Sequence, residues 1–115
     1  MTYVTPFLRV RDAKASAGFY ALLGFRELWE HRFEPGFPLF LAIGSEHGRI
    51  FLSEHLGDAS PDTLIYLSVP DVDALYESLR ADGIELDPPQ EAPWGRELEL
   101  TDPDGNRLRV GRADD

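Results

Sequence analysis

The clearest alternation of apolar and polar positions lies near the end of the chain. Leu98 and Leu100 alternate with Glu97 and Glu99, and Leu108 and Val110 alternate with Arg107 and Arg109. A period of two on both arms predicts two strands, each with one apolar and one polar face. Pro103 and Asp104-Gly105 between them predict a tight hairpin turn, proline pre-setting φ and glycine accepting a positive φ. The polar face carries Glu97, Glu99, Arg107 and Arg109. It reads either as cross-strand ion pairs on a solvated sheet or as the charged lining of a site. Just before the hairpin, Pro93 and Gly95 flank Trp94 and place an aromatic ring in a turn.

The rest of the chain divides into short elements. Tyr3 to Val10 reads as a strand, and Asp12 as the N-cap of a helix from Ala13 to Leu23 with an apolar stripe of Ala17, Tyr20 and Ala21. Gly24 suits the left-handed position after that helix. Phe25 to Phe33 predicts a second strand, with Phe25 and Glu27 on one face and Arg26 and Leu28 on the other. Pro38 to Ile43 predicts a third, Gly44 to Gly48 a turn, and Arg49 to Ser53 a fourth. His55 to Pro61 is a polar connector. After it come a strand from Thr63 to Val69, an Asp71-capped helix from Val72 to Asp82 ended by Gly83, and a strand starting within Ile84 to Asp87.

The second series repeats the first. Leu8-Arg9-Val10-Arg11-Asp12 matches Leu67-Ser68-Val69-Pro70-Asp71, and at the same offset Ala15 meets Ala74, Gly24 meets Gly83, and Phe25 meets Ile84. A strand end, a helix cap and a helix stop recur together. The chain is therefore expected to be α+β, two tandem βαβββ modules with one helix each. These modules would cover about residues 1–56 and 62–112 of one domain spanning 1–115. Neither could bury a sheet face alone.

Composition narrows the function. A formal net charge of −10 opposes binding to nucleic acid, whose phosphates require a basic surface. It favours cationic ligands. With no cysteine, disulfides and thiolate metal sites are excluded. The chain shows no signal-peptide core and no apolar stretch of membrane-spanning length, so the expectation is a cytoplasmic protein with no membrane partner.

On these residues the chain resembles the vicinal oxygen chelate superfamily of glyoxalases, extradiol dioxygenases and bleomycin-resistance proteins. Leu8 to Asp12, Phe19-Tyr20 and Leu23-Gly24-Phe25 resemble the family's strand–helix opening, and Asp102-Pro103-Asp104-Gly105-Asn106 its closing turn. Pro93-Trp94-Gly95-Arg96-Glu97 is most similar to bleomycin-resistance proteins, as are Ile50-Phe51-Leu52-Ser53 and Pro61-Asp62-Thr63-Leu64. Pro6 falls where those proteins have a proline associated with exchange of the N-terminal arm between subunits.

The family's metal enzymes take ligands from four strand positions. The resemblance aligns these with Thr5, Phe51, Leu64 and Arg109, two apolar side chains, one cation and a weak hydroxyl donor, so no metal or other cofactor is expected. His47 and His55 read as exposed loop histidines. His31, on the second strand, is the one expected to border the cleft.

Alternation from those positions predicts which side chains line the cleft. Thr5, Phe7 and Arg9, then Arg49, Phe51 and Ser53, then Leu64, Tyr66 and Ser68 join the charged face of the last hairpin. Leu8, Val10, Ile50, Leu52, Ile65, Leu67, Leu98, Leu100, Leu108 and Val110 form the face that the helices should cover. The resemblance implies a non-catalytic protein that sequesters a large cationic aromatic ligand, such as a bleomycin-class antibiotic, in grooves shared by two subunits of a homodimer. Trp94, Tyr66, Phe51, Trp29, His31, Phe37, Phe40, Glu97, Glu99 and Arg109 are the expected ligand-binding residues. A glyoxalase-like lyase or isomerase with a displaced or absent metal site, using His31, Glu97 and Glu99, is the alternative. An unrelated metabolite as natural ligand is a third reading.

Overall fold

The computed structural model describes residues 4–46 and 48–112. Tyr3, the expected start of the first strand, and His47 lie outside them. By internal contacts the chain forms two compact units, Met1–Thr63 with Asp102–Asn106, and Leu64–Thr101 with Arg107–Asp115. The turn 102–106 thus belongs with the first unit although it joins two strands of the second.

The first unit contains β1 (Phe7–Arg9), α1 (Ala13–Ala21), β2 (Arg26–His31), β3 (Phe40–Ser45) and β4 (Gly48–Ser53). Its sheet order is β1-β4-β3-β2, with β1 parallel to β4 and Leu8 opposite Leu52. The second contains β5 (Leu64–Ser68), α2 (Val72–Ala81), β6 (Gln90–Ala92), β7 (Gly95–Thr101) and β8 (Arg107–Gly111). Its order is β5-β8-β7-β6, with β5 parallel to β8 and Leu67 opposite Val110. Both units are βαβββ, and the class is α+β.

The repeat extends to single hydrogen bonds. Asp12 and Asp71 are both extended, at φ −141° and −145°, and each carboxylate accepts from the amide three residues on, Ala15 and Ala74. An aspartate there satisfies one of the first helical N–H groups, which have no partner within the helix. At the other end Gly24 and Gly83 take φ +91° and +82°, conformations that side chains disfavour. The next amides, Phe25 and Ile84, return to the carbonyls of Tyr20 and Leu79.

The apolar set assigned to the helix-covered faces is buried, apart from half-buried Ile65. Several boundaries differ from expectation. β1 is only three residues long, because Pro6 has no amide hydrogen to give; its carbonyl accepts from Phe51 instead. Ala21 is exposed, and the buried side of α1 is Ala13, Ser16, Ala17 and Tyr20. β3 and β4 run into what was expected to be the Gly44–Gly48 turn, pairing Ser45 with Gly48. No strand forms at Ile84 to Asp87; β6 begins at Gln90, after Pro88 and Pro89, which cannot donate to a ladder.

Asp102 explains the closing turn. It is 4% exposed, and its carboxylate accepts from the Asp104 amide at 2.8 Å, the Asn106 amide at 2.9 Å and Asn106 Nδ2 at 3.1 Å. The Tyr20 hydroxyl of α1 donates to it at 2.8 Å. Asn106, fully buried, also donates to the Arg9 carbonyl and accepts from the Thr63 amide. Asp104 accepts from the Arg11 amide and guanidinium and from the Ser16 hydroxyl. Burial works against ionisation of its carboxyl, but these donors outweigh it and hold the carboxyl below its ordinary range.

Candidate functional site

The expected site residues gather on the two sheets in groups of different chemistry. On the first sheet one register row crosses all four strands. Trp29 stands opposite Ala42, Ala42 opposite Phe51, and Phe51 opposite Phe7. The next row brings His31 opposite Phe40. Trp29 stacks on Phe40 with centroids 5.8 Å apart and planes 18° apart. Phe51 lies 5.0 Å from Phe40 and 5.2 Å from Phe7, the latter edge-on. These spacings fall in the range of attractive ring pairs. The Arg49 guanidinium sits 5.4 Å from the Phe51 ring centre.

Simple alternation does not give this wall. The register of β2 slips between Glu27 and Trp29, leaving Leu28 as an extra residue. Glu27 pairs with Ile43 and Glu30 with Leu41, and Lys14 of α1 reaches both carboxylates at 2.6 and 3.1 Å. Without the bulge, Leu28 would take the place opposite Ala42 and Trp29 would turn to the helix side. A bulge re-aims the residues after it, and here it puts Trp29 and His31 on the aromatic face.

A groove of about 480 Å³ runs along Phe7, Trp29 and Phe40. His31, Phe33, His55 and Asp58 complete its lining. Phe33 is 70% exposed and edge-on to both His31, at 4.7 Å, and His55, at 6.0 Å. His55 therefore corrects its reading as a plain exposed loop histidine; it is half-buried against the groove. Ser53, expected to line the cleft, is fully buried, donating to Asp58 and accepting from the His55 amide. Asp58 was not singled out from the sequence, and nothing in its local pattern marks it. Phe37 is exposed on the loop between β2 and β3, where its carbonyl accepts from Arg32.

The second sheet carries Trp94, Glu97, Glu99 and Arg109, all lining one pocket of about 430 Å³. Asp87 and Glu91 are also in its lining. The indole N–H of Trp94 donates to Glu97 at 2.9 Å, and the ring is 52% exposed, as its turn position predicts. Glu99 and Arg109 are direct cross-strand neighbours, yet the Glu99 carboxylate lies 3.5 Å from Arg107 on the diagonal. Tyr66 stands on the other side of Arg109 in the same row. Its hydroxyl leans over Gly111, 2.5 Å from where a β-carbon would be.

The four positions that the resemblance aligns with metal ligands, Thr5, Phe51, Leu64 and Arg109, carry no set of donors that fits a cation. Phe51 and Leu64 offer no lone pair, Arg109 is itself a cation, and Thr5 lies before β1 with only a hydroxyl. Among the described residues no three His, Cys, Asp or Glu side chains gather as ligands for a metal ion. None of their helices is long and apolar enough to cross a membrane.

The fold matches solved structures over nearly the whole chain. A bleomycin resistance determinant encoded on the transposon Tn5 superposes with a TM-score of 0.78 at 24% identity, 99% of each chain covered. A bleomycin-binding protein complexed with bleomycin gives 0.77 at 24% identity, covering 99% of this chain and 100% of that one. A member of the glyoxalase/bleomycin resistance protein/dioxygenase superfamily from Sphaerobacter thermophilus DSM 20745 gives 0.74 at 25% identity, with 96% of each chain covered. No curated protein sequence matches the chain. A family model described as glyoxalase superfamily protein matches residues 1–115, and the chain belongs to the glyoxalase superfamily.

Proposed function

We propose that this chain is a non-catalytic ligand-binding protein that sequesters a large, cationic, aromatic-bearing molecule of the bleomycin class in grooves completed by a second copy. The observation that carries the reading is the wall of Trp29, Phe40, Phe51 and Phe7, with Phe7 40% and Trp29 46% exposed along a groove. Large rings left half in water on a sheet face suit a flat ligand that stacks on them. The acidic pocket around Trp94 and the net charge of −10 favour a cation. The donor set at the family's metal positions favours binding over metal-assisted chemistry. The similarity to a bleomycin-binding protein complexed with bleomycin is in keeping with this reading.

Thermal unfolding in the presence of bleomycin-class glycopeptides tests the ligand. At about one hundred times the dissociation constant, binding adds about 2.7 kcal/mol and raises Tm by about 10 °C. No shift at concentrations far above micromolar refutes the assignment. The homodimer, with Pro6 at the start of edge strand β1 near the subunit boundary, is tested by sedimentation equilibrium. A species near the 12.9 kDa of one chain at tens of micromolar excludes it.

A further inference from the structure

The pocket of the second sheet is not simply acidic. Asp87, Glu91, Glu97 and Glu99 contribute four carboxylates, and Arg109 is the guanidinium among them. Three of those acids are already engaged within the second unit. Glu91 holds Arg96 at 3.0 Å, Glu97 accepts the Trp94 indole, and Glu99 is nearest to Arg107. Among the described residues the Arg109 guanidinium forms no ion pair or hydrogen bond, although Glu99 is its cross-strand neighbour through the backbone. A guanidinium offers a planar fork of donors suited to a carboxylate, and here the fork is open beside an exposed indole.

We propose that this pocket recognises an aromatic zwitterion: a ring lying against Trp94, with a carboxylate on Arg109 and a cationic group toward the surrounding acids. Arg109 is then the specificity-determining residue. The inference rests on the ligand-binding reading and gives the ligand of this pocket its chemistry. A purely anionic ring meets an excess of negative charge. A purely cationic ring is attracted but leaves Arg109 unused. The zwitterion satisfies both signs.

Three small ring compounds separate these cases: 4-(aminomethyl)benzoate, benzylamine and benzoate. Each is titrated into isotope-labelled protein while the Trp94 indole N–H resonance is followed, assigned by its loss in Trp94→Phe. The expected order of affinity is zwitterion, then cation, then anion. Arg109→Gln should weaken the zwitterion about tenfold, the scale of a charge-assisted hydrogen bond partly open to water, and leave benzylamine unchanged or slightly tighter. Equal binding of zwitterion and benzylamine by the native chain overturns the inference, as does an unchanged zwitterion affinity in Arg109→Gln. Failure of all three compounds to move the Trp94 resonance at millimolar concentration also overturns it. The thermal-shift measurement with glycopeptides stands apart from these outcomes, so this pocket can fail while the aromatic wall still binds its ligand.

Discussion

Replacing Tyr20 with phenylalanine removes one oxygen and should leave the shape of the first unit intact. The ring keeps its edge-on contacts with Phe19, at 5.2 Å, and Phe25, at 6.1 Å. What disappears is the 2.8 Å donation from the hydroxyl to a carboxylate that is 4% exposed. A hydrogen bond to a charged acceptor contributes about 1.5–3 kcal/mol. Asp102 Oδ2 keeps Asn106 Nδ2 at 3.1 Å, so the loss belongs near the lower end. We expect Tyr20→Phe to cost about 2 kcal/mol. With a urea m-value of about 1.5 kcal/mol/M for a chain of this size, the unfolding midpoint falls by about 1.3 M. A double-mutant cycle with Asp102→Asn should return most of the loss as coupling. Coupling below about 0.5 kcal/mol would refute the claim that this bond anchors the closing turn.

The same pair predicts a pH dependence. Burial, and then the Asp102 charge, push the Tyr20 hydroxyl far above its ordinary value of 10.0. The folded state therefore holds that proton more tightly than the unfolded state. The contribution to stability is complete below about pH 10 and is lost as pH rises beyond it. The native chain should lose stability more steeply there than Tyr20→Phe. Equal slopes would show that the hydroxyl is not so held.

Trp94→Ala should weaken ligand binding by about 1–3 kcal/mol with little change in Tm, because the ring is half in water; a large Tm loss with affinity retained places it in the core. Gly111→Ala puts a methyl 2.5 Å from the Tyr66 hydroxyl and 2.8 Å from the Arg96 carbonyl. Tyr66 can swing away but the carbonyl cannot, so a loss of about 1–3 kcal/mol is expected in denaturant unfolding, and a neutral substitution contradicts this close packing. Asp12→Ala and Asp71→Ala should each cost about 1 kcal/mol and add when combined, since the two caps share the same geometry on separate helices; a markedly unequal pair in urea titrations would mean that the repeat does not extend to energetics.

The sequence by itself determined the two βαβββ modules. That part rests on local chemistry: an aspartate before each helix, a glycine after it, and period-two strands whose apolar members had one place to go. Leu98, Leu100, Leu108 and Val110 are buried as their alternation requires. Trp94 was legible for the same reason, since the proline before it and the positive-φ glycine after it, at +138°, set a tight turn.

Tertiary structure decided what crosses between strands. The bulge at Leu28 turns Trp29 onto the aromatic face, while Glu27 and Glu30 on the other side both meet Lys14. The pairing of β2 with β3 leaves no period within β2 itself to mark the slip. His55 and Asp58 reach the groove from the connector because Ser53 folds it back by hydrogen bonds to both, an irregular turn with no periodic signature. Arg109 was legible as a polar-face residue. That its neighbour Glu99 lies against Arg107 instead, leaving its guanidinium open in the pocket that Trp94 also lines, follows from side-chain geometry across two strands and a turn.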